Sequence, residues 1–200
     1  MTALPDIPRL YTALAEWLAC TIYLLVLPRR FGRGATAVLG AGWLAALGVF
    51  LQLTGAVPLA WWIPCMAGAV AMMFLYLYSG AAVSARVAGY HCARAFLAAE
   101  FAASLEWQLH CLLWPRRSAW DPAALALLAL VYGGLYAVLY RLEARRPGNT
   151  PAPVITGKAM ASAVVMAAAA FAVSNFAFAP QDEATMGVVY IRTLVGLAGV

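Results

Sequence analysis

The sequence predicts an all-α fold, a polytopic bundle of transmembrane helices, and three observations carry that reading. Hydrophobic residues make up 65% of the chain and charged ones only 10%, against about 45–50% and about 25% in soluble domains. The apolar residues recur in runs long enough for a helix to cross a bilayer, about 20 residues. They do not fall in alternating segments of about ten, which excludes a β-barrel. Most of the lysines and arginines lie between the apolar runs, so the net charge of +5 follows from loop placement and calls for no nucleic-acid partner.

Seven spans are predicted, each bounded by a physical stop. The first covers residues 10–27, with no small-residue cleavage site after it, so it reads as a retained helix and not a signal peptide. Pro28 to Gly34 ends it with proline, glycine and three arginines. The second covers 35–53, where Gly40, Gly42, Ala46 and Gly48 offer close approach to another helix. A tight turn at residues 54–56 leads to the third, 57–78, with Trp61 and Trp62 in an interfacial position and Pro64 as a predicted kink. The fourth covers 87–114. The fifth covers 122–140, with Asp121 as cap and Pro122 at the first helical position. A polar loop, 141–158, precedes the alanine-rich sixth span, 157–178, which is expected to pack tightly. The seventh begins at 186 and reaches residue 200 in mid-pattern with no cap or stop. It is expected either to continue in a longer parent or to be a short, tilted last helix.

Basic residues in alternate loops set the expected orientation. One side holds Arg29, Arg30, Arg33, Arg86, Arg141, Arg145, Arg146 and Lys158; the other holds Arg9, Arg116 and Arg117. The positive-inside rule makes the first side cytoplasmic, with the N-terminus outside and the C-terminus inside. The expected location is a bacterial cell membrane, with lipid as the surrounding partner.

The fourth span is the one that the others are expected to shelter. It carries His91, Arg94, Glu100, Ser104, Glu106, Gln108 and His110, and a charge at the bilayer centre costs about 3 kcal/mol or more. Counting about 1.5 Å of rise per residue puts Glu106, Glu16 and Arg192 each about 10–12 Å below the outer surface. His110, Gln108, Asn175 and Gln52 fall nearer that surface. Arg192 is the basic residue at that depth, so a Glu106–Arg192 contact is expected. Two readings of the set stay open: a buried pair that fixes packing, or a pocket facing outward. In the second, Glu16, Glu106, Trp107, His110 and Arg192 bind ligand. Arg94, Glu100, Ser104, Gln108 and Asn175 are structural polar groups in either case, and Arg94 and His91, near the inner end, are expected to snorkel.

The four cysteines, Cys20, Cys65, Cys92 and Cys111, all lie in apolar runs and read as buried thiols. His91-Cys92 and His110-Cys111 cannot share a metal ion, being about 28 Å apart along one helix. No metal or cofactor is expected in these residues. Metalloprotease, serine-hydrolase and phosphate-loop motifs are missing, so no catalytic residue is assigned.

Residues 93–109, ARAFLAAEFAASLEWQL, and 190–200, YIRTLVGLAGV, resemble the membrane sensor regions of Gram-positive GHKL-type sensor histidine kinases. The resemblance implies a signal-sensing domain for an extracellular or membrane ligand, a small molecule or a peptide. It implies a homodimeric parent whose cytoplasmic kinase domain uses ATP and magnesium and passes phosphate to a response regulator. The alternative class is a small substrate-binding membrane subunit of a transporter, which would also present an outward pocket.

Overall fold

The structure is a computed structural model and describes residues 7–55, 59–114, 117–144 and 155–176, with side chains described in them except at 59, 60, 62 and 170–176. Those residues form six helices: α1 (Arg9–Val26), α2 (Arg33–Thr54), α3 (Leu59–Gly80), α4 (Ala85–Leu113), α5 (Pro122–Ala144) and α6 (Gly157–Phe176). The six correspond in order to the first six predicted spans. The seventh predicted span, with Arg192, lies outside the described residues. Among the described residues, four helical stretches are long and apolar enough to cross a membrane: Arg9–Val26, Arg33–Thr54, Ile63–Gly80 and Pro122–Ala144. This is the build of a membrane protein. Helix α4 is longer than any of them but too polar to qualify on composition, and the apolar stretch Gly157–Ala169 is too short.

Several boundaries move from their predicted places. Helix α3 continues through Pro64, and α4 starts at Ala85, so the loop between them shrinks to residues 81–84. Helix α5 does not stop at Tyr140; Arg141-Leu142-Glu143-Ala144 add another turn, as good helix formers do when no glycine or proline intervenes. Its start is as predicted, with Pro122 first and Asp121 Oδ1 accepting the Ala123 N–H at 2.9 Å.

Helix directions follow from contacts between turns. The Arg30 N–H donates to the Gly80 carbonyl at 2.9 Å and the Ala82 N–H to that of Pro28 at 2.7 Å. The α1–α2 and α3–α4 turns therefore share one end. At the other end the Tyr11 hydroxyl, in the first turn of α1, donates to the Ala119 carbonyl before α5. Helices α1 to α5 thus alternate in direction, and Met160 near the start of α6 lies beside Gly89 near the start of α4. Arg29, Arg30, Arg33, Arg86, Arg141 and Lys158 gather at one end, and Arg9 and Arg117 at the opposite one.

Helices α1 and α4 form the centre. Helix α4 contacts α1, α3, α5 and α6, and α1 contacts α2, α3, α4 and α5. Their seam is made of alanine: Ala15 and Ala19 face a row that includes Ala95, Ala98, Ala99, Ala102 and Ala103, all buried. Small side chains let two helix backbones approach closely where lipid offers no hydrophobic drive. Ring contacts fix the antiparallel register, with Tyr11 against Trp107 and Tyr23 against His91. Helix α5 runs parallel to α1 and is pinned to it by two tyrosines: Tyr132 donates to the Tyr11 carbonyl at 3.1 Å and Tyr136 to that of Ala15 at 2.7 Å. The outer surface is apolar, with Val38, Leu53, Leu112 and Leu130 exposed, as expected of side chains that meet lipid. The tight packing expected of α6 is confined to α4; only Ala163 and Ala167 are buried among its described side chains.

Gly40 is the close-approach glycine of α2. Its carbonyl accepts the Trp17 indole N–H at 2.8 Å, and a Cβ there would lie 3.0 Å from the Tyr76 hydroxyl. That hydroxyl cannot easily retreat, because it is hydrogen-bonded to Thr21 at 3.0 Å. We predict that Gly40→Ala destabilises the bundle by about 1–3 kcal/mol, the usual cost of overpacking. Thermal unfolding in detergent measures it, and an unchanged midpoint would mean that α2 moves aside freely.

Candidate functional site

The α1–α4 register stacks the polar groups of the bundle in three layers. At the basic end, Arg94 and Glu143 form an ion pair of 2.7 Å, with 15% and 3% of the two side chains exposed. The Arg94 guanidinium lies 5.8 Å from the ring centres of both Tyr23 and Tyr90. His91 packs between the same two rings, at 4.9 and 5.3 Å. Arg94 therefore does not snorkel to the surface. A buried carboxylate holds it, because the extra turn of α5 carries Glu143 to its level. Sequence reasoning missed Glu143, having placed it in a loop; its spacing from Tyr136, one helical repeat of seven, was the available signal.

The middle layer holds Glu16, which is 1% exposed. Residue counting from the helix ends places it beside Glu106, but the register places it opposite Glu100, which acts on it electrostatically. The reason is that α4 overhangs the start of α1: Tyr11 in the first turn of α1 already meets Trp107, six residues short of the end of α4. Equal distances from the two helix ends are therefore unequal depths. Two thiols flank this layer without any disulfide; Cys20 Sγ donates to the Met73 carbonyl at 3.9 Å and Cys92 Sγ to that of Val70 at 3.6 Å.

The third layer is the candidate site. Glu106 is fully buried, and among the described residues neither of its carboxylate oxygens has a hydrogen-bond partner. A row of rings lies at the same end of the bundle. Trp120 meets Tyr11 edge-on at 5.7 Å, Tyr11 meets Trp107 edge-on at 6.4 Å, Trp107 stacks on His110 at 4.9 Å, and His110 meets Trp114 at 6.4 Å. His110 is 2% exposed, and its Nε2 lies 3.3 Å from the Arg117 carbonyl. A carbonyl only accepts, so Nε2 carries the proton. Nδ1 is buried and has no partner among the described residues. Glu106 and His110 are four residues apart and share a face of α4. Trp107 and Trp114 are half-buried and Trp120 is exposed, so the row opens toward the end of the bundle.

The structure thus brings Glu106, Trp107 and His110 together and separates Glu16 from them. Tyr11 and Trp120 belong to the same layer, and sequence reasoning missed both. Of the groups expected to be structural, Ser104 is buried with its hydroxyl unpartnered among the described residues, and Glu100 and Gln108 are half-buried on α4. The Asn175 side chain, like Arg192, lies outside the described residues, so the expected Glu106–Arg192 contact does too.

The Arg94–Glu143 pair gives a sharp test. Removing one partner of a buried pair typically costs about 3–5 kcal/mol, whereas removing both charges costs less. Arg94→Gln and Glu143→Gln should each lower the unfolding midpoint strongly, and the double variant should fall by clearly less than their sum. Additive effects in that cycle would show that the pair contributes no coupling.

Comparison of the chain with protein-family models, with curated proteins and with solved structures finds no match in any of the three.

Proposed function

We propose that this chain is the multi-pass, signal-sensing membrane domain of a bacterial sensor histidine kinase, with Glu106, Trp107 and His110 at its sensing site. The observation that carries the reading is the buried, unpartnered Glu106 carboxylate on the helix turn that also carries the stacked Trp107 and His110 rings. An ionisable group held in the apolar interior of a membrane bundle is expensive, and such groups mark function more often than packing. A site of this kind, mainly apolar with a few convergent polar groups, suits a small ligand. The resemblance of residues 93–109 and 190–200 to GHKL-type sensor regions supplies the kinase assignment. In this reading seven spans place the N-terminus outside and the C-terminus in the cytoplasm. ATP, magnesium and a response regulator belong to the parent's kinase domain, and the parent is a homodimer. Glu16 lies one layer deeper.

Signal passes along α4 and the seventh span to the inside. A ligand shifts the output only by binding one arrangement of those helices better than another. In the full-length parent, Glu106→Gln should therefore change the midpoint or amplitude of the response to the native signal while basal phosphorylation persists. An unchanged response would make the cluster structural. A coding sequence with a stop after Val200, and so no kinase domain, would turn the reading toward a transporter subunit.

Orientation is checked separately. In a cysteine-free background, Arg117→Cys should react with a membrane-impermeant thiol reagent on intact cells, and Arg30→Cys should react only after lysis. The reverse pattern would invert the topology.

A further inference from the structure

We propose that the Glu106 site binds a small organic ammonium ion that carries N–H groups, such as a primary alkylamine. This deepens the sensing-site reading and rests on it. Three acceptor atoms at the site have no donor among the described residues. Both oxygens of the Glu106 carboxylate have no donor, and neither has Nδ1 of His110. With Nε2 committed to the Arg117 carbonyl, Nδ1 of the neutral ring is an acceptor. The unanswered atoms of the site are therefore all acceptors, and all are buried. A cation bearing N–H donors satisfies that set. An anion or a neutral acceptor does not.

The rings point to the same class of ligand. Tryptophan and tyrosine faces attract ammonium and guanidinium ions, and four such rings, of Tyr11, Trp107, Trp114 and Trp120, stand at this end of the bundle. One already holds a cation of the protein's own: the Arg117 guanidinium lies 5.6 Å from the centre of the Trp114 ring. Arg117 also carries the carbonyl that orients His110. This end of the bundle therefore combines aromatic faces, which accept cations, with a buried carboxylate that has no donor among the described residues. An inorganic cation would use the carboxylate but leave the rings without a role. A quaternary ammonium ion would use the rings but leave Nδ1 without a donor.

The test is a titration of the whole 200-residue chain in detergent, read by intrinsic tryptophan fluorescence, with n-butylammonium chloride as the probe and sodium chloride at equal ionic strength as control. The expected result is a saturable change with butylammonium, none with sodium, and weaker binding of tetramethylammonium. Glu106→Gln should weaken butylammonium binding about tenfold or more, as loss of a charge-assisted hydrogen bond does. His110→Ala should weaken it by less. If Glu106→Gln loses helicity, Trp107→Leu keeps the carboxylate and should still reduce affinity. An identical response to sodium, or affinity unchanged in Glu106→Gln and Trp107→Leu, overturns the proposal. Binding that appears only in Arg192→Gln also overturns it, because Glu106 would then be occupied by the protein's own arginine. The two readings fail separately. If the parent kinase answers its signal through Glu106 but the chain binds no amine, the ligand class is wrong and the sensing site stands. If butylammonium binds at Glu106 but the parent's output ignores Glu106→Gln, the sensing reading falls.

Discussion

The alanine seam between α1 and α4 is the constraint on which the rest of the structure depends. Two helices brought close by small side chains leave no room for a large residue between their backbones. Bulky and polar side chains must collect where the seam is interrupted. Tyr11, Glu16 and Tyr23 interrupt it from α1, and His91, Glu100 and Glu106 from α4. The antiparallel register then decides who meets whom, and three polar layers result. The remaining helices supply cover. Helix α5 adds the tyrosine hydroxyls that bond into the α1 backbone, and α3 offers carbonyls to the buried thiols.

The layers differ in how completely their charges are answered, and this difference gives the bundle its polarity. At the basic end, Arg94 meets a carboxylate and two aromatic faces, so its desolvation is offset by an ion pair and by cation–π contact. In the middle layer and at the other end, Glu16 and Glu106 are more deeply buried and have no hydrogen-bond partner among the described residues. A buried group whose needs are met within the fold holds helices together. One whose needs are not met is sensitive to whatever can enter. The same helix therefore carries a paired charge near its start and an unanswered buried carboxylate near its end.

That division bears on how a movement of α4 would spread through the bundle. Because α4 touches four other helices, a small rotation at the Glu106 layer cannot stay local. Close-packed interfaces tend to switch between discrete arrangements and resist continuous deformation. The Arg94–Glu143 pair ties α4 to the end of α5 and would resist that rotation at the basic end, so α4 would pivot there more readily than slide.

The sequence by itself determined the all-helical class, the order and approximate extent of the first six helices, the start of α5 at Asp121-Pro122, and the central role of α4. Each of these rests on local chemistry: run length, caps, breakers, and the cost of polar groups in an apolar medium. Glu106, Trp107 and His110 were legible as a cluster because they lie on one helix, where spacing in the chain is spacing on a face. Only the tertiary structure decided that Glu16 opposes Glu100, that Arg94 pairs with Glu143, and that Tyr11 and Trp120 complete the ring row. Each of those depends on the register between helices far apart in the chain. Register is set by the fit of small residues along a seam and by ring contacts across it, and residue counting along a single helix carries no information about either.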